Sequence, residues 1–117
     1  MQDKPTGYIP ESTRTVRKGY LDEEVRELHE AVDSGDIEAI AKEAADVVYV
    51  VIGTAISCGI PFDRVLEEVH RSNMTKTPDG DGKAIKGEGY QPPDIRPIIR
   101  EAMAGRPRDT GQPEAGQ

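Results

Sequence analysis

The chain has 117 residues, 35% of them hydrophobic and only 4% aromatic, and carries a formal charge of −7. That length allows one small domain, with a core so thin that a further face is expected to be buried against a partner subunit. The acidity excludes a nucleic-acid binder, which needs a basic footprint, but admits a phosphate-bearing substrate held through divalent cations.

Met1 to about Pro10 contains Pro5, Gly7 and Pro10 and has no periodicity, so residues 1–12 are expected to form an extended arm, with Glu11-Ser12-Thr13 capping the helix that follows. The first helix is predicted from about Thr13 to Val32, because Leu21, Val25, Leu28 and Val32 recur at a spacing of about 3.6 residues. Gly35 suits its C-terminus, and Asp36 the N-cap of the next helix.

The second helix is predicted from about Ile37 to Ser57. It is apolar nearly all round from Ala44 onward, which reads as the central, most buried element. Its apolar run from Ala44 to Cys58 is too short to span a bilayer and contains Asp46. No membrane association and no signal peptide are expected, so the cytoplasm is the default location. Cys58 is the single cysteine; an intrachain disulfide is impossible, and a role as small core filler is expected.

Cys58-Gly59-Ile60-Pro61 stops the second helix, and so short a link predicts an antiparallel third helix from Pro61 to about Asn73, with Phe62, Val65, Leu66 and Val69 on its apolar face. Residues 77–93 hold four glycines and three prolines and read as loop without a strand, with a turn at Asp79-Gly80-Asp81-Gly82. Pro97 to Ala104 predicts a short last helix, within a terminal segment 96–117 whose end from Gly105 reads as a disordered tail. The expected fold is all-α: a small antiparallel helical bundle completed by oligomerisation. Without a strand or a glycine-rich phosphate motif, Rossmann and P-loop architectures are excluded.

The chemistry lies in two acidic pairs. Glu24 and Glu27 are three apart beside the Leu21/Val25/Leu28 stripe, so both face the seam between helices, whereas Glu23 and Glu30 lie further toward solvent. Glu43 and Asp46 repeat that spacing on the second helix, and Asp46 opens a stretch with no other charge until Asp63. A lone carboxylate in such surroundings is normally paired, protonated or metal-bound. Packed antiparallel, the two helices would bring four carboxylates to one point, a set of hard oxygen ligands suited to Mg²⁺ or Mn²⁺. Few cationic residues could neutralise them; Arg26 and Lys42 are nearest in sequence. Taken singly, the glutamates would be a solvated face or would answer the helix dipole. Asp46, flanked by apolar residues, resists that reading.

Glu23-Glu24-x-x-Glu27, fifteen residues, then Glu43-x-x-Asp46 resembles the EExxE…ExxD signature of the MazG-like all-α nucleotide pyrophosphohydrolases, whose superfamily includes dimeric dUTPases and phosphoribosyl-ATP pyrophosphohydrolases. Val69-His70-Arg71-Ser72-Asn73-Met74-Thr75-Lys76 resembles the end of their third core helix, and Lys86-Gly87-Glu88-Gly89-Tyr90-Gln91-Pro92-Pro93-Asp94-Ile95 their following tail. The resemblance covers about Arg14 to Ile95, and makes residues 13–95 a MazG-like helical domain with a substrate-covering C-terminal loop. It departs at the N-terminus, where relatives usually carry another helix.

The resemblance implies Mg²⁺-dependent hydrolysis of a nucleoside triphosphate to monophosphate and pyrophosphate, in a homodimer or homotetramer, for nucleotide-pool housekeeping. It implies Mg²⁺, with Mn²⁺ as substitute, on Glu24, Glu27, Glu43 and Asp46. It places Asn73 and Lys76 on the nucleotide, with Lys86 and Tyr90 closing over it; a helix C-cap for Asn73, a surface charge for Lys76 and a loop anchor for Tyr90 are the plain structural readings. Glu23, adjoining Glu24, is the candidate base that orients the attacking water.

Two rivals stand beside this reading. A di-iron carboxylate bundle needs two Glu-x-x-His pairs, and only Glu67-x-x-His70 is present, since Arg26 precedes His29 by three; His70 is expected at a packed or pocket-edge position and His29 at the surface. A non-catalytic helical interaction module has no use for Asp46. A Ca²⁺ loop at residues 79–82 lacks the downstream bidentate glutamate.

Overall fold

A computed structural model describes residues 8–78 and 82–105. The proposed arm up to residue 7, most of the turn at 79–82 and the tail from residue 106 lie outside the described residues. Helix α1 spans Glu11–Ser34, α2 Ile37–Ser57, α3 Phe62–Asn73 and α4 Arg96–Ala104, with a minimal hairpin of β1 Thr77–Pro78 and β2 Ala84–Ile85 between α3 and α4. The fold is all-α in class.

Helix α1 starts two residues earlier than its periodicity indicates. Pro10 is its N-cap and accepts the Arg14 amide at 3.0 Å, so Glu11-Ser12-Thr13 form the first turn and do not cap it. Its end follows the sequence closely. Gly35 adopts φ 73°, a left-handed conformation that costs glycine little, and its amide reaches Val32 O at 3.1 Å. Asp36 then accepts the amides of Glu38 and Ala39 at 3.0 and 3.4 Å. Ser34 ties the two halves of the turn, donating to Ala31 O at 2.6 Å and accepting from the Asp36 amide at 3.1 Å. The result is a tight αα-hairpin.

The α1–α2 seam is stitched by one arginine. Arg17 donates Nε to Thr54 Oγ1 and Nη2 to Val50 O, both at 3.1 Å. Gly53 makes room for it: a Cβ there would lie 2.8 Å from Nη2.

One expectation about helix packing is corrected. At the end of α2, Gly59 (φ 71°) and the Ile60 amide, bonded to Ala55 O at 2.9 Å, close a Schellman-like turn. The helix direction changes by 116° across it, short of the reversal an antiparallel partner requires, so α3 swings away from α2. Helix α2 keeps the largest share of its residues from solvent, as its apolar girth predicts, yet it is not sealed within one chain. Only Ala55 on it is buried, while Val48, Tyr49, Ile52 and Ile56 form an exposed stripe opposite α1, with Tyr49 82% accessible. Among the described residues the buried apolar set is Ala31 and Ala55 alone. Cys58 is half-buried rather than sealed in a core.

Helix α3 finds its partners in the following chain. Ser72, 1% accessible, donates to Gln91 O at 2.8 Å, and Thr75 Oγ1 accepts the Gln91 amide at 2.8 Å. Arg71 pairs with Glu68 at 2.7 Å and reaches Gln91 Oε1 at 2.9 Å, while Glu68 also accepts the Asp94 amide at 2.7 Å. Arg64 on α3 bonds Glu101 on α4 at 3.1 Å. The hairpin in the stretch read as loop pairs Thr77 with Ile85 and Pro78 with Ala84; strands of two residues carry no periodicity to read.

Candidate metal centre

The hairpin turn sets the register of the acidic pairs. Glu27 and Glu43 each lie eight residues from Gly35, and Glu24 and Asp46 each lie eleven. At 1.5 Å rise per residue, each couple stands at about the same height on its helix, roughly 12 and 16 Å from the turn. The pairs therefore meet across the seam.

Two triads result. Oxygens of Glu24, Glu43 and Asp46 lie within 4.8 Å of one another, as do those of Glu23, Glu24 and Glu27, with Glu24 common to both. Glu23 is exposed and the other four are half-buried. A cavity of about 530 Å³ opens beside them, lined by Arg26, Glu27, Glu30 and Glu43 among others.

Electrostatics show a cluster short of cations. Burial pushes the Glu27 carboxyl above its ordinary pKa, with the charges of Glu24, Glu43 and Glu23 adding to the effect and Arg26 opposing it. Arg26 is engaged elsewhere, bonded to Glu30 at 2.8 Å. Lys42 stands 2.7 Å from Asp46 Oδ2 and 3.6 Å from Glu43 Oε2, and the Asp46 hydrogen bond, then the charges of Asp46 and Glu43, raise its pKa. Two oxygens remain unserved: Glu24 Oε2 and Glu43 Oε1 are buried without a hydrogen-bond partner among the described residues. Buried carboxylate oxygens left bare are costly, and converging ones fit a hard divalent cation. The donor set, all carboxylate oxygen, suits Mg²⁺ or Mn²⁺ rather than a soft metal.

The residues expected on the nucleotide lie elsewhere in the chain. Asn73 closes α3 and is exposed; the residue after it, Met74, is the C-cap. Lys76 follows, half-buried. The Lys86 ammonium lies 5.4 Å from the centre of the Tyr90 ring, and the Tyr90 hydroxyl lies 3.4 Å from Ser72 Oγ. Helix α3 begins beyond Ser57, about 16 Å along α2 from Asp46, and turns away. No hydrogen bond or ion pair among the described residues joins these four to the carboxylates.

His29 and His70 are both exposed, so His70 is not packed, and neither joins a carboxylate triad. That disfavours the di-iron alternative. Two contributors escaped the sequence reading. Lys42 was visible only as a nearby charge, although its i, i+4 spacing to Asp46 signals the contact. Arg17 gave no signal, because its partners lie on another helix.

A family model described as phosphoribosyl-ATP pyrophosphohydrolase matches residues 1–73. The matched segment holds α1, α2 and α3 with all five carboxylates, and ends at Asn73, before Lys76, Lys86 and Tyr90. No curated protein matches the chain.

Proposed function

The chain belongs to the phosphoribosyl-ATP pyrophosphohydrolase family, within the MazG-like superfamily, and from that membership we propose that it hydrolyses a nucleoside triphosphate between the α and β phosphates, releasing monophosphate and pyrophosphate with Mg²⁺. The observation that carries the reading is the pair of buried, unpartnered oxygens, Glu24 Oε2 and Glu43 Oε1, in a cluster built from two helices.

Glu24, Glu27, Glu43 and Asp46 would hold the ion, with Mn²⁺ as a substitute. When bound, the cation supplies charge neutralisation at the phosphates and acidifies a coordinated water. Glu23, exposed beside Glu24 and Glu27, would orient the attacking water and accept its proton. Asn73 and Lys76 would contact the nucleotide, Lys76 at phosphate, and Lys86 and Tyr90 would close over it. In this reading nucleotide-pool housekeeping in the cytoplasm is the biological role.

The proposal includes a homo-oligomer, a dimer or tetramer. Its support is the thin core: among the described residues the buried apolar set is two alanines, while Val48, Tyr49, Ile52 and Ile56 lie exposed along one helix, an apolar face that a second copy would cover.

The family description favours a second substrate, phosphoribosyl-ATP, which offers the same anhydride. A panel of canonical and modified nucleoside triphosphates together with phosphoribosyl-ATP, assayed with Mg²⁺ for pyrophosphate against phosphate, separates the two. Pyrophosphate release from any triphosphate upholds the first reading. Release from phosphoribosyl-ATP alone transfers the assignment to the second, and release from none overturns both in favour of an interaction module.

A further inference from the structure

Lys42 is the one cation in direct contact with the cluster among the described residues. Its ammonium lies 2.7 Å from Asp46 Oδ2 and 3.6 Å from Glu43 Oε2, so it sits on two of the four carboxylates assigned to the metal. The side chain is 66% exposed and carries a flexible four-carbon stem. An exposed i, i+4 pair is weak enough to be exchanged at little cost. Arg26 makes a useful contrast. It lines the same cavity as Glu27 and Glu43, yet its ion pair is with Glu30, outside the ligand set.

We propose that Lys42 is a built-in counter-cation that competes with the divalent ion for Asp46, and that on release it meets a phosphate of the nucleotide, coupling metal binding to substrate binding. This rests on the metal reading above. Two consequences of the geometry run the same way. With no nucleotide present, the ammonium both occupies Asp46 and repels an incoming cation, so the cluster binds metal alone less tightly than the carboxylates otherwise would. With nucleotide present, the displaced ammonium gains an anionic partner a few ångströms from the ligands, and the competition is relieved. Coupling of this kind is reciprocal: the nucleotide strengthens metal binding by the factor by which metal strengthens nucleotide binding.

The test is calorimetric titration of Mg²⁺, and of Mn²⁺ separately, into wild type, Lys42→Met, Lys42→Arg and Arg26→Met, each with and without a nonhydrolysable nucleoside triphosphate analogue. Without analogue, Lys42→Met should bind the ion roughly two- to fivefold more tightly than wild type, the range that an exposed ion pair supports. Lys42→Arg, able to grip Asp46 with two donors, should bind it no more tightly than wild type. Arg26→Met should match wild type. With analogue, the advantage of Lys42→Met should vanish or reverse. Equal affinities for Lys42→Met and wild type overturn the proposal, as does an Arg26→Met effect as large, which would reduce it to general charge. If wild type binds neither ion even with analogue, the metal reading falls as well, an outcome distinct from the other two.

Discussion

Glu24 on α1 and Glu43 on α2 each bury one carboxylate oxygen, Oε2 and Oε1, for which the described residues provide no hydrogen-bond donor. A fold selected for stability alone would place a donor there or replace one acid with an amide. Glu43→Gln supplies donors and removes one of several like charges, so the metal-free protein should melt higher than wild type. Mg²⁺-dependent pyrophosphate release should fall on the order of 100-fold or more. Asp46→Ala should show the same separation of stability from activity. Thermal melting in chelator, beside a pyrophosphate assay, checks both. A variant that keeps full activity would remove Glu43 from the ligand set.

The acidic site was legible because its grammar is local. Glu24/Glu27 and Glu43/Asp46 each repeat at one helical turn, and the Gly35-Asp36 pair marks the turn that sets their register. The hairpin could thus be derived from residues close in sequence. The course of α3 could not. Its apolar face predicts packing but names no partner, and the partners proved to be Gln91, Pro92 and Asp94, 19, 21 and 26 residues downstream of Ser72, Arg71 and Glu68 respectively. Likewise the apolar girth of α2 signals burial on every side, but one chain covers only the face toward α1.

That uncovered face leads to a second prediction. Val48, Tyr49, Ile52 and Ile56 recur at helical spacing on the side of α2 away from α1, and a charge placed among them would be desolvated by any partner seated there. Sedimentation should show wild type as a dimer or larger, with a melting temperature that rises with protein concentration. Ile52→Glu should give a monomer that melts lower and without concentration dependence. A wild type that sediments as a monomer would remove the assembly from the proposal.

Gly53 and Arg17 form a coupled pair. Glycine inside a helix costs about 1 kcal/mol relative to alanine. At Gly53 the gain from alanine is offset, because the new Cβ would stand 2.8 Å from Arg17 Nη2 and displace its bond to Val50 O. Gly53→Ala should therefore change wild-type stability by less than about 1 kcal/mol, but stabilise an Arg17→Met background by about 1 kcal/mol. A denaturant double-mutant cycle measures the difference. Strict additivity would show that the guanidinium does not depend on the space at position 53.

The clasp that holds residues 91–94 against α3 should open in acid. Glu68 accepts two bonds from Arg71 and one from the Asp94 amide; chiefly the Arg71 bonds, then the amide, lower its pKa from 4.5 to about 2. The folded-state value lies below the unfolded one, so the contribution of the clasp is complete above pH ~4.5 and is lost as pH falls from there toward about 2. The Asp94 amide chemical shift should titrate with the Glu68 carboxyl near the lower value, and Glu68→Gln should abolish that transition while lowering the melting temperature at neutral pH. Titration of the Glu68 carboxyl near 4.5 would instead mean that Arg71 and the Asp94 amide do not hold it in solution, and that residues 91–94 are fixed without Glu68, through Ser72, Thr75 and the Arg71 bonds to Gln91 and Pro92.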